Sequence, residues 1–160
     1  MVWREERRYV QPGAAVKNGV HMKKKILFIC THNSARSQMA EGYMKAKYGD
    51  RFEAFSAGTE ATRVHPMAIA VMQEIGIDIA GHRSKLLDEF FGRGIGTVVT
   101  VCDSAQGACP FFPGAKEIIH QSFPDPSSFK GSDAEVRAGF RRVRDEIIRW
   151  IDGTFGNTHA

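Results

Sequence analysis

Two kinds of apolar run alternate along the chain: short unbroken ones, and longer ones repeating every three or four positions. Ile26-Leu27-Phe28-Ile29-Cys30 is unbroken, the pattern of a strand covered on both faces. A helix is predicted from Arg36 or Ser37, with Met39, Ala40, Tyr43 and Met44 on its inner face. Phe52 to Ala57 reads as a second strand, ended by Gly58. Pro66, following His65, suits the first turn of a second helix. Its apolar stripe is Ala68, Ile69, Met72 and Ile75, and Gly76 stops it. A third helix is predicted from about Ser84 to Phe91. The β-branched run Thr97-Val98-Val99-Thr100-Val101 is a strand, and Lys116 to His120 is a short fourth one. Ser132, with Glu135 three residues on, forms a capping box. It opens a final helix whose core face is Val136, Phe140, Val143, Ile147 and Ile151.

Strands alternating with helices predict an α/β fold: an open four-stranded parallel sheet flanked by helices. Such sheets carry their active sites beyond the carboxyl ends of the strands. Cys30 ends the first strand, Cys102 follows Val101, and Asp125 lies in the loop after the fourth strand. All three are expected on one edge of the sheet.

Composition narrows the classes. A chain of 160 residues fits one domain. Residues 1–21 contain Pro12, Gly13, Asn18 and Gly19 without periodicity and are expected to be a flexible extension. Residues 22–155 are expected to form the domain, and 156–160 a short tail. The formal charge of +4 is concentrated near the start, in Arg4, Arg7, Arg8, Lys17, Lys23, Lys24 and Lys25 against Glu5 and Glu6. The remainder is close to neutral, which argues against nucleic-acid binding. No apolar run is long enough to span a bilayer, and no apolar core of a signal peptide opens the chain. The expected setting is therefore the cytoplasm. Cysteines there are catalytic, redox-active or metal-bound more often than bridged for structure; no metal site is expected in this chain.

The stretch Cys30-Thr31-His32-Asn33-Ser34-Ala35-Arg36-Ser37 joins a strand to a helix. Five residues between cysteine and arginine suffice to curl the backbone into a cradle for a tetrahedral anion. Its N–H groups turn inward, aided by the positive end of the following helix. Arg36 closes the ring with a bidentate fork that lysine lacks. This field favours a thiolate at Cys30, to which the Ser37 hydroxyl is placed to donate. Asn33 is expected to shape the cradle from a left-handed conformation that Asn tolerates. Thr31 to Ser37 are thus the candidate oxyanion-binding residues, for a tetrahedral anion such as phosphate or sulfate, with no tightly bound cofactor expected. A reductase, a phosphatase and a non-catalytic oxyanion-binding or redox-sensing module all remain open from these residues.

The run from Cys30 to Gly42, with Phe55-Ser56-Ala57-Gly58, Val98 to Cys102, Cys109-Pro110, Phe123-Pro124-Asp125-Pro126 and Phe140 to Ile147, resembles the low-molecular-weight tyrosine phosphatase superfamily. It is more closely similar to the thioredoxin-coupled arsenate reductases within it, over roughly residues 23–153. The resemblance implies a three-cysteine relay. Cys30 attacks arsenate with Asp125 as proton donor, Cys102 attacks the Cys30 sulfur, and a Cys102–Cys109 disulfide is left for thioredoxin, a transient partner of a monomer. Glu41 and Ser56 match positions that bind a monovalent cation in some relatives. Another position of that site, an Asp there, is Lys85 here, so the lysine ammonium is expected in place of the cation. Position 35 is Ala where some relatives have a further cysteine, and His32 stands where Gly is common. His82 could tune a neighbouring thiol, but a lone histidine is more often a surface or hydrogen-bonded residue, and that is the expectation here. Phosphatases of the superfamily carry aromatics after the Asp-Pro pair, where Ser127 and Ser128 stand here.

Overall fold

The computed structural model describes residues 16–17, 20–101 and 112–156. In chain order, the strands are β1 (Val16–Lys17), β2 (Val20–His21), β3 (Lys24–Cys30), β4 (Phe52–Gly58), β5 (Thr97–Thr100) and β6 (Glu117–His120). The helices are α1 (Arg36–Tyr48), α2 (Pro66–Gln73) and α3 (Asp133–Phe155). β3 to β6 form one four-stranded sheet in the order β4-β3-β5-β6, every pair parallel. This is the predicted open α/β sheet. Within the stretch expected to be an extension, β1 and β2 pair as a short antiparallel ribbon.

The strand order places the site. After β3 the chain crosses to β4 on one side, then returns to β5 on the other. The switch point therefore lies at the carboxyl ends of β3 and β5, where loops diverge and leave a crevice. Register confirms the level: Cys30 is opposite Gly58, and Val101 N donates to Ile29 O at 2.9 Å.

β3 is the central strand and its residues Ile26 to Ile29 are fully buried, as an unbroken apolar run requires. One face packs under α1, α2 and α3 through Phe28, Met39, Met44, Met72, Phe140 and Ile147. The other packs Leu27, Ile29 and Val98 against Leu87, Phe90 and Phe112. Each such buried side chain contributes on the order of 1.5–3 kcal/mol. α3 opens with the expected reciprocal cap, Ser132 Oγ accepting from Glu135 N and Glu135 Oε1 from Ser132 N. Phe140, Val143, Ile147 and Ile151 are buried on its inner face, with Val136 partly so.

Two elements differ from the sequence reading. α2 ends at Gln73, and Gly76 with φ of 81° lets Ile77 N donate back to Met72 O. Ile75 is therefore exposed rather than in the stripe, and Val71 is buried in its place. The helix expected over 84–91 is only a 3-10 turn, Leu87–Phe90. Its first residues are committed elsewhere. Lys85 N donates to Asn33 Oδ1, Lys85 O accepts from Gly58 N, and Leu86 bridges Gly58 in parallel. A backbone so engaged cannot enter a helical ladder.

Candidate active site

Every cradle carbonyl is taken up from outside. Thr31 O accepts from Glu60 N at 2.8 Å, and His32 O from Ser84 Oγ at 2.9 Å. Asn33 O accepts from Gln38 Nε2 at 3.2 Å, Ser34 O from His65 N at 2.9 Å and Ala35 O from Met39 N at 2.9 Å. In a trans peptide the following N–H is antiparallel to the carbonyl. The N–H groups of residues 32–36 are therefore turned to the opposite, inner side of the loop. The N-cap of α1 is Ala35, which offers no side-chain acceptor to the first-turn N–H groups.

Two conformational requirements make this possible. Asn33 has φ of 52°, the left-handed region that Asn tolerates. Gly58 abuts the loop so closely that a Cβ there would lie 2.6 Å from Thr31 O and 2.9 Å from Asn33 N. β4 must therefore end in glycine.

The hydrogen-bond polarity at Cys30 follows from one fixed donor. Lys85 N can only donate, so Asn33 presents Oδ1 to it at 2.8 Å. Asn33 Nδ2 then donates to Ser37 Oγ at 2.8 Å. The single hydroxyl proton of Ser37 is thereby left for Cys30 Sγ, 2.9 Å away. Gln38 Nε2 faces Asn33 O, Asn33 Oδ1 and Arg83 O, so its Oε1 accepts from His82 Nδ1 at 3.0 Å. Burial holds His82 below the usual histidine range, in keeping with a neutral donor. His82 is thus hydrogen-bonded, four hydrogen bonds from the sulfur.

Arg36 reaches the opposite loop. Its guanidinium donates to Phe123 O at 3.1 Å and lies 3.7 Å from Asp125 Oδ2. Asp125 caps a 3-10 turn, Pro126–Ser128, accepting from Ser127 N at 3.0 Å and Ser127 Oγ at 2.7 Å. Partial burial works to raise the Asp125 carboxyl. The Ser127 hydroxyl, Arg36, the Ser127 N–H and His32 outweigh it and hold the group below its ordinary value. Phe129 fastens this loop to α3 at Gly139, where a Cβ would lie 2.1 Å from the ring.

Beside the cradle a charge cluster surrounds the buried Glu41. Glu41 accepts from Ser56 Oγ and pairs with Lys45 at 2.6 Å and Lys85 at 3.5 Å. The Lys85 ammonium also lies 3.5 Å from Ser56 Oγ and 2.9 Å from Arg83 O. Burial would raise Glu41; Lys85, Lys45 and Ser56 outweigh it and keep it below its usual value. At Lys85 burial wins over the attraction of Glu41 and lowers the ammonium.

The structure therefore brings together Cys30, Thr31 to Ser37 and Asp125. Cys102 and Cys109 lie outside the described residues. The sequence reading missed Gln38, Ser84, Glu60 and the His65 amide as the outer clamps of the cradle. Glu60, Ser84 and His65 act across tertiary contacts that no spacing marks, whereas Gln38 reaches back only five positions to Asn33. His32, exposed, lies 3.6 Å from Glu60 at the rim.

A family model, low molecular weight phosphotyrosine protein phosphatase, matches residues 25–154. The chain belongs to this family. It is 48% identical over 136 residues to an arsenate reductase of Halalkalibacterium halodurans, covering 85% of this chain and 97% of that protein. Among solved structures it is similar to an arsenate reductase in the reduced state, with TM-score 0.69 and 31% identity over 84% of this chain and 98% of the other. It is similar also to the low molecular weight protein tyrosine phosphatase of T. tengcongensis, with TM-score 0.71 and 28% identity over 84% and 99%. Proteins named for both activities thus share this fold. No helix among the described residues is long and apolar enough to cross a membrane.

Proposed function

We propose that this family member reduces arsenate to arsenite with three cysteines and thioredoxin. The observation that carries the reading is the cradle: outward carbonyls of residues 31–35, inward N–H groups, and a cysteine at its head held by Ser37. A tetrahedral oxyanion fits such a seat. The 48% identity to a protein named arsenate reductase, and the presence of Cys102 and Cys109, favour arsenate over a phosphoester.

The Cys30 thiolate attacks arsenic, a proton from Asp125 lets one oxygen leave as water, and an S–As bond forms. A dianion seated on Arg36 engages that guanidinium and adds its own charge near Asp125. Both effects raise the carboxyl from its low resting value toward a proton donor. The Cys102 thiolate then attacks the Cys30 sulfur. The S–S bond forms as the S–As pair of electrons passes to arsenic, which leaves as arsenite, reduced by two electrons. Cys109 attacks Cys102, freeing Cys30, and thioredoxin reduces the Cys102–Cys109 disulfide. The chain reaches Cys102 directly from Val101, whose N–H is bound to Ile29 O, one residue before Cys30. That Cys102 follows directly in sequence supports its choice as the second thiol of the relay.

In this reading the protein works as a monomer in the reducing cytoplasm, and residues 22–155 are the catalytic unit. Deletion of residues 1–21 is expected to leave turnover and melting temperature unchanged, as thermal unfolding and activity of the truncated chain would check. The test of function is arsenate-dependent NADPH oxidation with thioredoxin and thioredoxin reductase, set beside aryl-phosphate hydrolysis. Coupled oxidation is expected, with weak hydrolysis. Strong hydrolysis without coupled oxidation would make the protein a phosphatase.

A further inference from the structure

The turn that carries Asp125 holds two hydroxyls used by no step above. Ser127 Oγ and Ser127 N both donate to Asp125 Oδ1, at 2.7 and 3.0 Å, and Ser128 Oγ donates to Asp125 O at 2.7 Å. Oδ2 is the oxygen left toward Arg36, 3.7 Å from its guanidinium. A proton on Oδ1 would meet the fixed Ser127 N–H head-on and would require the Ser127 hydroxyl to turn from donor to acceptor. A proton on Oδ2 meets none from this turn and faces the anion seat. The N–H at 127 would be present with any residue there except proline; the hydroxyl is what serine adds.

We infer that Ser127 is a positioning residue for the proton donor, its hydroxyl closing Asp125 Oδ1 so that the proton is carried on Oδ2 toward the oxyanion. The inference rests on the reading of Asp125 as the acid. The low resting value of the Asp125 carboxyl fits it, because the Ser127 hydroxyl is the strongest of the interactions that favour its ionised form. The other charged or titratable groups facing Asp125 among the described residues are Arg36 at the head of α1, His32 on the cradle and His65 at the head of α2. None lies on the turn that Ser127 closes.

A carboxyl carbon-13 NMR titration of the full chain reads this directly, with Asp125→Asn assigning the resonance. In Ser127→Ala the Asp125 midpoint is expected to rise by about half a pH unit or more, the loss of one hydrogen bond to a half-exposed charge. Ser127→Thr, which keeps the hydroxyl, is expected to titrate as the wild type does. The alkaline limb of kcat for thioredoxin-coupled arsenate turnover should move upward with the Ser127→Ala midpoint. Coincident titration curves for wild type and Ser127→Ala, with Asp125→Asn inactive, would overturn the role of Ser127 alone. Wild-type turnover in Asp125→Asn would overturn the acid assignment beneath it.

Discussion

Two loops meet at Arg36, and they are held in opposite ways. The cradle is fixed by donors from distant parts of the chain, Glu60, Ser84, His65 and Lys85 among them, and Asn33 at its centre is fully buried. The Asp125 turn is closed by its own neighbours, Ser127 and Ser128, and both serines are exposed. The difference matches the roles proposed for the two loops. An anion seat needs several N–H groups aimed at one point, and rigid tertiary bonds supply that. A group that gains and loses protons needs solvent within reach, and local bonds suffice to orient it.

The sharpest break falls on the head of the cradle. Cys30→Ser is expected to abolish both arsenate reduction and aryl-phosphate hydrolysis, because a neutral hydroxyl is a poor nucleophile in that seat. Near-wild-type rates in either assay would remove Cys30 as the nucleophile. Arg36→Lys should lose most of both activities, since a point charge cannot replace the planar fork.

The relay cysteines should separate the two activities. Cys102→Ser is expected to hydrolyse aryl phosphate while failing in thioredoxin-coupled turnover. Cys109→Ser should stop after one event as a Cys30–Cys102 disulfide, against Cys102–Cys109 in the wild type. Peptide mass spectrometry after thiol blocking locates the bond; coupled turnover that survives both substitutions would exclude the relay.

The contrast between the loops can be measured as stability. Asn33→Ala places alanine in the left-handed region and leaves the Lys85 N–H without its acceptor. A loss of about 2–4 kcal/mol in denaturant unfolding is expected. Ser127→Ala, on the exposed turn, should lose only about 1 kcal/mol. Equal losses at the two positions would erase the distinction.

The smallest effect concerns His65, which touches the cradle through its N–H and caps α2 by accepting from Met67 N at Nδ1, 3.1 Å away. Burial and Arg63 hold its imidazole below the usual value. A histidine with a lowered folded value lends stability that is present above its unfolded value near 6.5. That stability is lost as pH falls through the folded value. The melting temperature should therefore drop modestly between pH 7 and 5, an effect of no more than about 1 kcal/mol. His65→Asn, a capping residue that does not titrate, should flatten that part of the profile; an unchanged profile would show that His65 does not contribute to it.

The outline of the site was legible where the interaction is local. The unbroken run at β3, the cysteine-to-arginine spacing, the left-handed Asn33 and the Ser132 cap each depend on residues within a few positions of one another, so their pattern is printed in order along the chain. The predicted helix over 84–91 failed for the converse reason. Its local preference yields to bonds from Lys85 to Asn33 and Gly58, which no window of sequence contains.

By itself, then, the sequence determined the alternation of strands and helices, the edge on which Cys30 and Asp125 meet, and the residue types of the proposed oxyanion seat. The tertiary structure decided which way each cradle peptide turns, that the Ser37 proton goes to the Cys30 sulfur, and that Asp125 offers Oδ2 to Arg36. Residue type fixes how many donors and acceptors a group brings. Their direction is fixed only when a partner far along the chain, the Lys85 amide above all, occupies one side and leaves the other free.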